Sequence, residues 1–142
     1  MSEALVVDAS SILAAAMPDE GSAYGHALLD VVVRGRAVVP AVFWYEVRNA
    51  LIVGERRGRA TPASTAAFLG VLAELPIEID TPTSSDPGVG VLDAARSHQL
   101  SVYDAAYLDL ASRRGLPLAT LDRALSQAAA KAGVNLFRGS AE

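Results

Sequence analysis

Three short apolar runs, at residues 4–7, 37–39 and 116–120, and an Ile-Glu-Ile-Asp stretch at 77–80 that also reads as a strand, are separated by segments whose apolar residues recur at helical spacing. This alternation limits the fold more than any other feature, because parallel strands need a crossover of a dozen or more residues and a helix is its usual form. It predicts an α/β protein with a central parallel sheet of four to five short strands flanked by helices. Helices are expected from Ser10, as N-cap, until Pro18; over 22–34, closed by Gly35; over 41–57, closed by Gly58; from Thr61-Pro62 towards Pro76; and over 91–97, 101–114 and 122–132. The Thr-, Ser-, Pro- and Gly-rich stretch 81–90 reads as a loop, and 134–137 as a last strand. No repeat and no second hydrophobic core is visible, so residues 1–142 are expected to form a single domain with a loose tail at 138–142.

The N-terminal apolar run is cut at Asp8 and preceded by Glu3, which does not suit a secretory leader, and no stretch approaches the ~20 apolar residues of a membrane helix. A cytoplasmic, membrane-free protein is expected. With no cysteine, any metal must be held by oxygen or imidazole. The formal charge of −4 argues at first against a polyanionic partner. That excess equals four particular acids, and setting them aside leaves a neutral chain in which eleven of the twelve cations are Arg. Such a surface is compatible with RNA.

The four acids are Asp8 after Leu-Val-Val, Glu46 in Phe-Trp-Tyr-Glu-Val, Asp104 in Val-Tyr-Asp-Ala-Ala-Tyr-Leu, and Asp122 after Leu-Ala-Thr-Leu. An ionised carboxylate in such apolar surroundings loses several kcal/mol of hydration, roughly, unless a partner compensates it. Glu46 shares a helical stripe with Phe43, and Asp104 a face with Tyr107, Leu108 and Ala111, whereas Asp109 falls with Ser112 and Arg113 and reads as a solvated surface acid. Asp8 and Asp122 follow strands, at the sheet edge where open α/β folds build their sites. No Lys or Arg adjoins all four, so a divalent cation is the natural counter-charge. Magnesium or manganese suits an all-oxygen donor set, and neither His26 nor His98 lies at metal-ligand spacing. Such sites carry out phosphoryl chemistry.

The runs Val-Val-Asp-Ala-Ser at 6–10, Val-Pro-Ala-Val-Phe-Trp-Tyr-Glu-Val-Arg-Asn-Ala-Leu at 39–51, Leu-Ser-Val-Tyr-Asp-Ala-Ala-Tyr-Leu-Asp-Leu-Ala at 100–111 and Pro-Leu-Ala-Thr-Leu-Asp-Arg-Ala-Leu at 117–125 resemble, in order and spacing, the PIN domains of VapC toxins. The resemblance implies a three-layer PIN-like fold and a magnesium- or manganese-dependent endoribonuclease. It also implies a homodimer and neutralisation by a VapB-like antitoxin. Asp8, Glu46, Asp104 and Asp122 fall on the family's acidic positions, and Ser10 and Thr120 on its small hydroxyl positions near the metal. Ala15-Ala16 departs from the basic and aromatic pair that many relatives carry in the first helix.

Each assignment has a plainer alternative. A lone Asp after a strand is commonly a helix cap, Ser10 an N-cap and Thr120 a strand residue. Arg48, Arg56 and Arg57, with Arg59, are candidate RNA or partner contacts, yet cations at a helix end also simply complement its dipole. Trp44 and Tyr45 are candidates for base stacking, although aromatics at a helix entry more often serve the core or a dimer contact. A dehalogenase-type phosphatase would need an Asp at position 10, where Ser stands, and a phospho-acceptor receiver a Lys after a late strand, whereas Lys131 lies in the last helix. A PIN nuclease that is not a toxin and an inactive PIN-like binding module remain open.

Overall fold

In the computed structural model, which describes residues 3–17, 22–81 and 88–139, the chain runs β1 (Ala4–Val7), α1 (Ala9–Ala16), α2 (Ala23–Arg34), β2 (Arg36–Val39), α3 (Val42–Arg56), α4 (Pro62–Ala73), β3 (Ile77–Ile79), α5 (Val89–His98), α6 (Val102–Arg114), β4 (Leu118–Ala119) and α7 (Arg123–Lys131). The strands form one parallel sheet in the order β3-β2-β1-β4. Successive residues of a strand face opposite sides, yet Leu5, Val6 and Val7 are all buried, as are Ala37, Val38 and Val39. These two strands are therefore covered on both faces, which is why they read as continuous apolar runs, whereas the edge strand β3, Ile-Glu-Ile, is largely exposed. The core continues from these strands into Ile12, Leu28, Phe43, Val47, Tyr107 and Leu125 on five helices. Among the described residues no helix is long and apolar enough to cross a membrane.

Local chemistry sets the element ends. Thr61 and Ser64 form a reciprocal capping box with Pro62 in the first turn of α4. Gly115, at a φ of 64°, closes α6 in the left-handed conformation that a side chain disfavours. Gly35 serves another purpose. A Cβ there would stand 1.9 Å from the Glu3 carbonyl oxygen, so only glycine lets α2 deliver the chain onto β2 beside the start of β1.

Three expectations need correction. The N-cap of α1 is Asp8, which accepts the Ser11 N–H at 3.0 Å, and Ser10 lies inside the first turn. Residues 134–137 form a single bridge, Leu118 to Leu136, because β4 is two residues long and offers little edge to extend. Asp109 is buried: α5 packs over it, with the Gly90 Cα so near that a Cβ would meet Asp109 Oδ1 at 2.3 Å, and Arg113 Nε donates to its Oδ2 at 2.8 Å. Helical spacing placed Asp109 beside Arg113 correctly, but the periodicity of α6 alone did not reveal that another helix covers this side. Pro18, most of the loop proposed for 81–90 and the end of the tail lie outside the described residues.

The close approach at Gly35 gives a stability test. Gly35→Ala forces the methyl against backbone, and overpacking of this kind costs roughly 1–3 kcal/mol; urea unfolding should show that loss with an unchanged denaturant slope.

Candidate active site

Asp8, Glu46, Asp104 and Asp122 line one cavity of about 590 Å³ together with Ser10, Asn49 and two tyrosines, Tyr45 and Tyr103. None of the residues lining it is Lys, Arg or His. The cavity lies beyond the carboxyl ends of β1 and β4. From β1 the chain proceeds to β2 on one side and returns to β4 on the other, so this is the switch point where open α/β sheets leave a crevice.

Three of the acids sit at helix N-termini. Asp8 caps α1, Asp122 caps α7 by accepting the Leu125 N–H at 2.8 Å, and Asp104 lies in the first turn of α6, below the Ser101 cap. The plain cap role and the cavity-lining position thus belong to the same side chains. Each helix presents unpaired N–H groups and the positive end of its dipole to these acids, which lowers the cost of gathering negative charge.

Two hydroxyls join the halves of the site. Ser10 Oγ donates to Asp8 Oδ1 at 2.7 Å and accepts the Leu121 N–H at 3.1 Å. The Thr120 hydroxyl donates to Asp8 Oδ2 and accepts the Asp122 N–H at 3.0 Å. The turn carrying Asp122 is thereby fastened to the Asp8 carboxylate. With the Ser11 N–H, Asp8 accepts three hydrogen bonds and keeps capacity for about one more.

The electrostatics are those of charge left uncompensated. Burial pushes the Asp8 carboxyl above its ordinary range; the bonds from Thr120, Ser10 and Ser11 oppose this, and the nearby Asp122 adds to it. Asp104 is raised by burial and by the charges of Asp122 and Asp8. Glu46 is raised by burial and, more weakly, by Asp104 and Asp8, against the bond that Tyr107 Oη donates to its Oε1 at 2.6 Å. The Tyr107 phenol is itself driven upward by burial and by Glu46, so it stays a donor.

Tyr107 was missed as a site residue, although its spacing from Asp104, one turn along the same face, was a usable signal. The arginines lie elsewhere. Arg48 stacks on Trp44, its guanidinium carbon 5.6 Å from the ring centroid, and Nη1 donates to the Trp44 carbonyl oxygen. Arg56 and Arg57 are exposed at the far end of α3, about 15 Å along the axis from Glu46. An adjoining hollow that shares Leu13 and Ala50 with the acidic cavity is lined by Arg59.

The sequence profile of the family described as PIN domain matches residues 5–131, which include all four acids. The chain belongs to the PIN-domain family. It is 32% identical over 123 residues to Ribonuclease VapC3 of Pyrobaculum aerophilum, covering 87% of this chain and 92% of that protein. The crystal structure of PAE2754 from the same organism superposes with a TM-score of 0.67 at 29% identity, covering 90% of this chain and 81% of that one. FitAcB from Neisseria gonorrhoeae shares the fold at a TM-score of 0.65 and 16% identity, covering 95% of this chain and 97% of that one.

Among the described residues no three His, Cys, Asp or Glu side chains are arranged to hold a metal ion directly. The donor chemistry nevertheless fits magnesium, which keeps several waters and takes only one or two carboxylates from a protein. All-oxygen donors, raised carboxyl pKa values and no basic side chain in the lining meet that requirement together.

The raised pKa values fix the sign of a pH effect. Below the ordinary carboxylate range Asp8 is protonated both folded and unfolded and carries no penalty; as pH rises from about 4 towards the higher folded-state pKa the unfolded chain ionises first and folding stability falls. Asp8→Asn leaves one acceptor oxygen in place of two, so it gives up either the bond from Thr120 or those from Ser10 and Ser11, but it removes this charge. In chelator, the melting temperature of Asp8→Asn relative to the parent should therefore climb across that window; a flat difference would contradict the site's electrostatics.

Proposed function

We propose that this PIN domain is a metal-dependent endoribonuclease, the VapC-like toxin of a toxin–antitoxin pair. The observation that carries the reading is the set of four carboxylates lining one cavity that has no basic side chain in its lining. The similarity to a protein named Ribonuclease VapC3, over nearly the whole of both chains, gives the chemistry its substrate class.

In this reading Asp8, Asp104 and Asp122 would hold magnesium or manganese between them, one or two directly and the others through the ion's waters. Such an ion supplies Lewis acidity toward the phosphodiester and acidifies water. Ser10 and Thr120 keep Asp8 ionised and oriented, and tie Asp122 to it. Tyr107 occupies Glu46 Oε1, which leaves Oε2 to orient the attacking water and accept its proton. The raised pKa of Glu46 makes it a better base than an exposed glutamate. The water oxygen bonds to phosphorus, the bond from phosphorus to the 3′ oxygen breaks, and the proton passes to that oxygen, giving a 3′-hydroxyl and a 5′-phosphate. A VapB-like antitoxin and a second copy of the chain complete the proposed assembly.

The test is cleavage of end-labelled single-stranded RNA with magnesium or manganese, against a chelator control. Asp8→Asn, Asp104→Asn and Asp122→Asn should each lower cleavage by at least about 100-fold while the melting transition is retained; Glu46→Gln should fall in the same range. Tyr107→Phe should lose less, roughly 5- to 20-fold, because Glu46 keeps its charge but not its orientation. Full activity in Asp8→Asn would overturn the assignment. Growth arrest on expression, relieved by a small protein encoded beside it, distinguishes a toxin from a PIN nuclease of RNA maturation.

A further inference from the structure

Tyr45 and Tyr103 are 75% and 61% exposed, which makes them the most exposed aromatic rings among the described large hydrophobic side chains. Each immediately precedes a site carboxylate, in Tyr45-Glu46 on α3 and in Tyr103-Asp104 on α6, and both line the acidic cavity. The two helices are joined across the site by the Tyr107–Glu46 hydrogen bond. Among the described residues neither ring takes part in an aromatic pair or a cation–π contact, and neither hydroxyl has a hydrogen-bond partner. Trp44, between Phe43 and Tyr45, is by contrast packed edge-on against Phe43 and covered by Arg48.

A ring left in water next to four acids does nothing for the core. What it does for a ligand follows from the lining. An RNA strand brings phosphates into a cavity that presents carboxylates and no Lys, Arg or His, so the chain's own side chains attract it there through something other than charge. Base–aromatic stacking is the available contact, since every base has a π face and unpaired bases expose it. Asn49, one turn beyond Tyr45 on α3 and also lining the cavity, adds an amide able to reach a base edge.

We infer that Tyr45 and Tyr103 are the substrate-positioning residues of this site, stacking on unpaired bases next to the scissile phosphate and restricting the enzyme to single-stranded RNA. This rests on the nuclease reading above. The rings touch neither the reacting phosphorus nor the water; they hold the strand so that Glu46 and Asp104 meet it.

Three measurements test the inference. Tyr45→Ala and Tyr103→Ala should each raise KM for a single-stranded oligoribonucleotide roughly 5- to 100-fold, with kcat changed less than about threefold. Tyr45→Phe and Tyr103→Phe, which keep the π face and lose the hydroxyl, should stay within about threefold of the parent. An oligonucleotide abasic on both sides of the cleavage position should bind the parent worse by the same factor that the double variant Tyr45→Ala/Tyr103→Ala loses, and should bind that double variant no worse still. Binding is followed by fluorescence anisotropy in an Asp104→Asn background, where cleavage cannot intervene. If this background binds RNA but the native chain cleaves none, the nuclease reading fails, and the inference is still decided by the tyrosine variants. If the native chain cleaves RNA while the alanine variants keep their KM, or cuts duplex and single strand equally well, the inference alone is overturned. Alanine variants that bind RNA normally but lose affinity for a neutralising protein partner would make the pair a protein-docking surface and overturn it as well. No RNA binding by any form sinks both.

Discussion

Burial of carboxylates beside one another in one crevice is the constraint around which this PIN domain is arranged. Left alone, Asp8, Asp104 and Glu46 each drift toward the protonated form, because burial and neighbouring negative charge act in the same direction. The fold counters the drift with oriented dipoles. Helix N-termini lie behind Asp8, Asp104 and Asp122, and hydroxyls or amides donate to Asp8, Glu46 and Asp122. These donors are worth a few tenths to a couple of kcal/mol each, by typical magnitudes, which is enough to hold the geometry but less than full neutralisation. The shortfall leaves the negative charge of the crevice only partly compensated.

The sheet order turns that constraint into a site. Because β1 lies between β2 and β4, the loops leaving its end and the end of β4 diverge, and each drops an aspartate at the start of the next helix. Ser10 and Thr120 bind those two loops together through Asp8, so residues 112 positions apart behave as one unit. Strand burial on both faces makes the platform rigid, and the same burial makes the acids at its end expensive.

That expense is why so much was legible beforehand. Strands buried on both faces leave unbroken apolar runs, and an acid that interrupts such a run stands out, as Asp8 and Asp122 do. Glu46 and Asp104 were distinguishable by their helical stripes. What the sequence concealed was tertiary. Ser10 looked like a cap because the true cap, Asp8, also faces the cavity. Tyr107 looked like core, and it is core, but its hydroxyl reaches Glu46 from a position 61 residues later. Tyr45 looked like a core or dimer aromatic, and only the packing of α3, with Phe43 and Val47 turned inward, shows that its ring is left outside. Arg48 looked available and is occupied with Trp44.

Helix α6 carries one acid that lines the crevice and one that is paired within the fold. At its N-terminal end Asp104 has other acids, the Ser101 hydroxyl and a helix dipole around it, and no cationic partner among the described residues. One and a half turns later Asp109 is more deeply buried, yet it has Arg113 on its Oδ2, and that same guanidinium reaches Asp80 at 2.9 Å. Arg114 extends the pairing to Glu78 at 2.9 Å, and Arg36 closes it from β2 at 3.0 Å. Depth of burial therefore does not separate the cavity-lining acid from the paired one, since Asp109 is more buried than Asp104. Lack of a cationic partner among the described residues does. A buried pair that is satisfied on every side has nothing to offer a metal or a phosphate, whereas a half-exposed acid surrounded by its own kind gains stability when a cation arrives. The chain places these two kinds of acid five residues apart, on faces of α6 that meet α5 on one side and the crevice on the other.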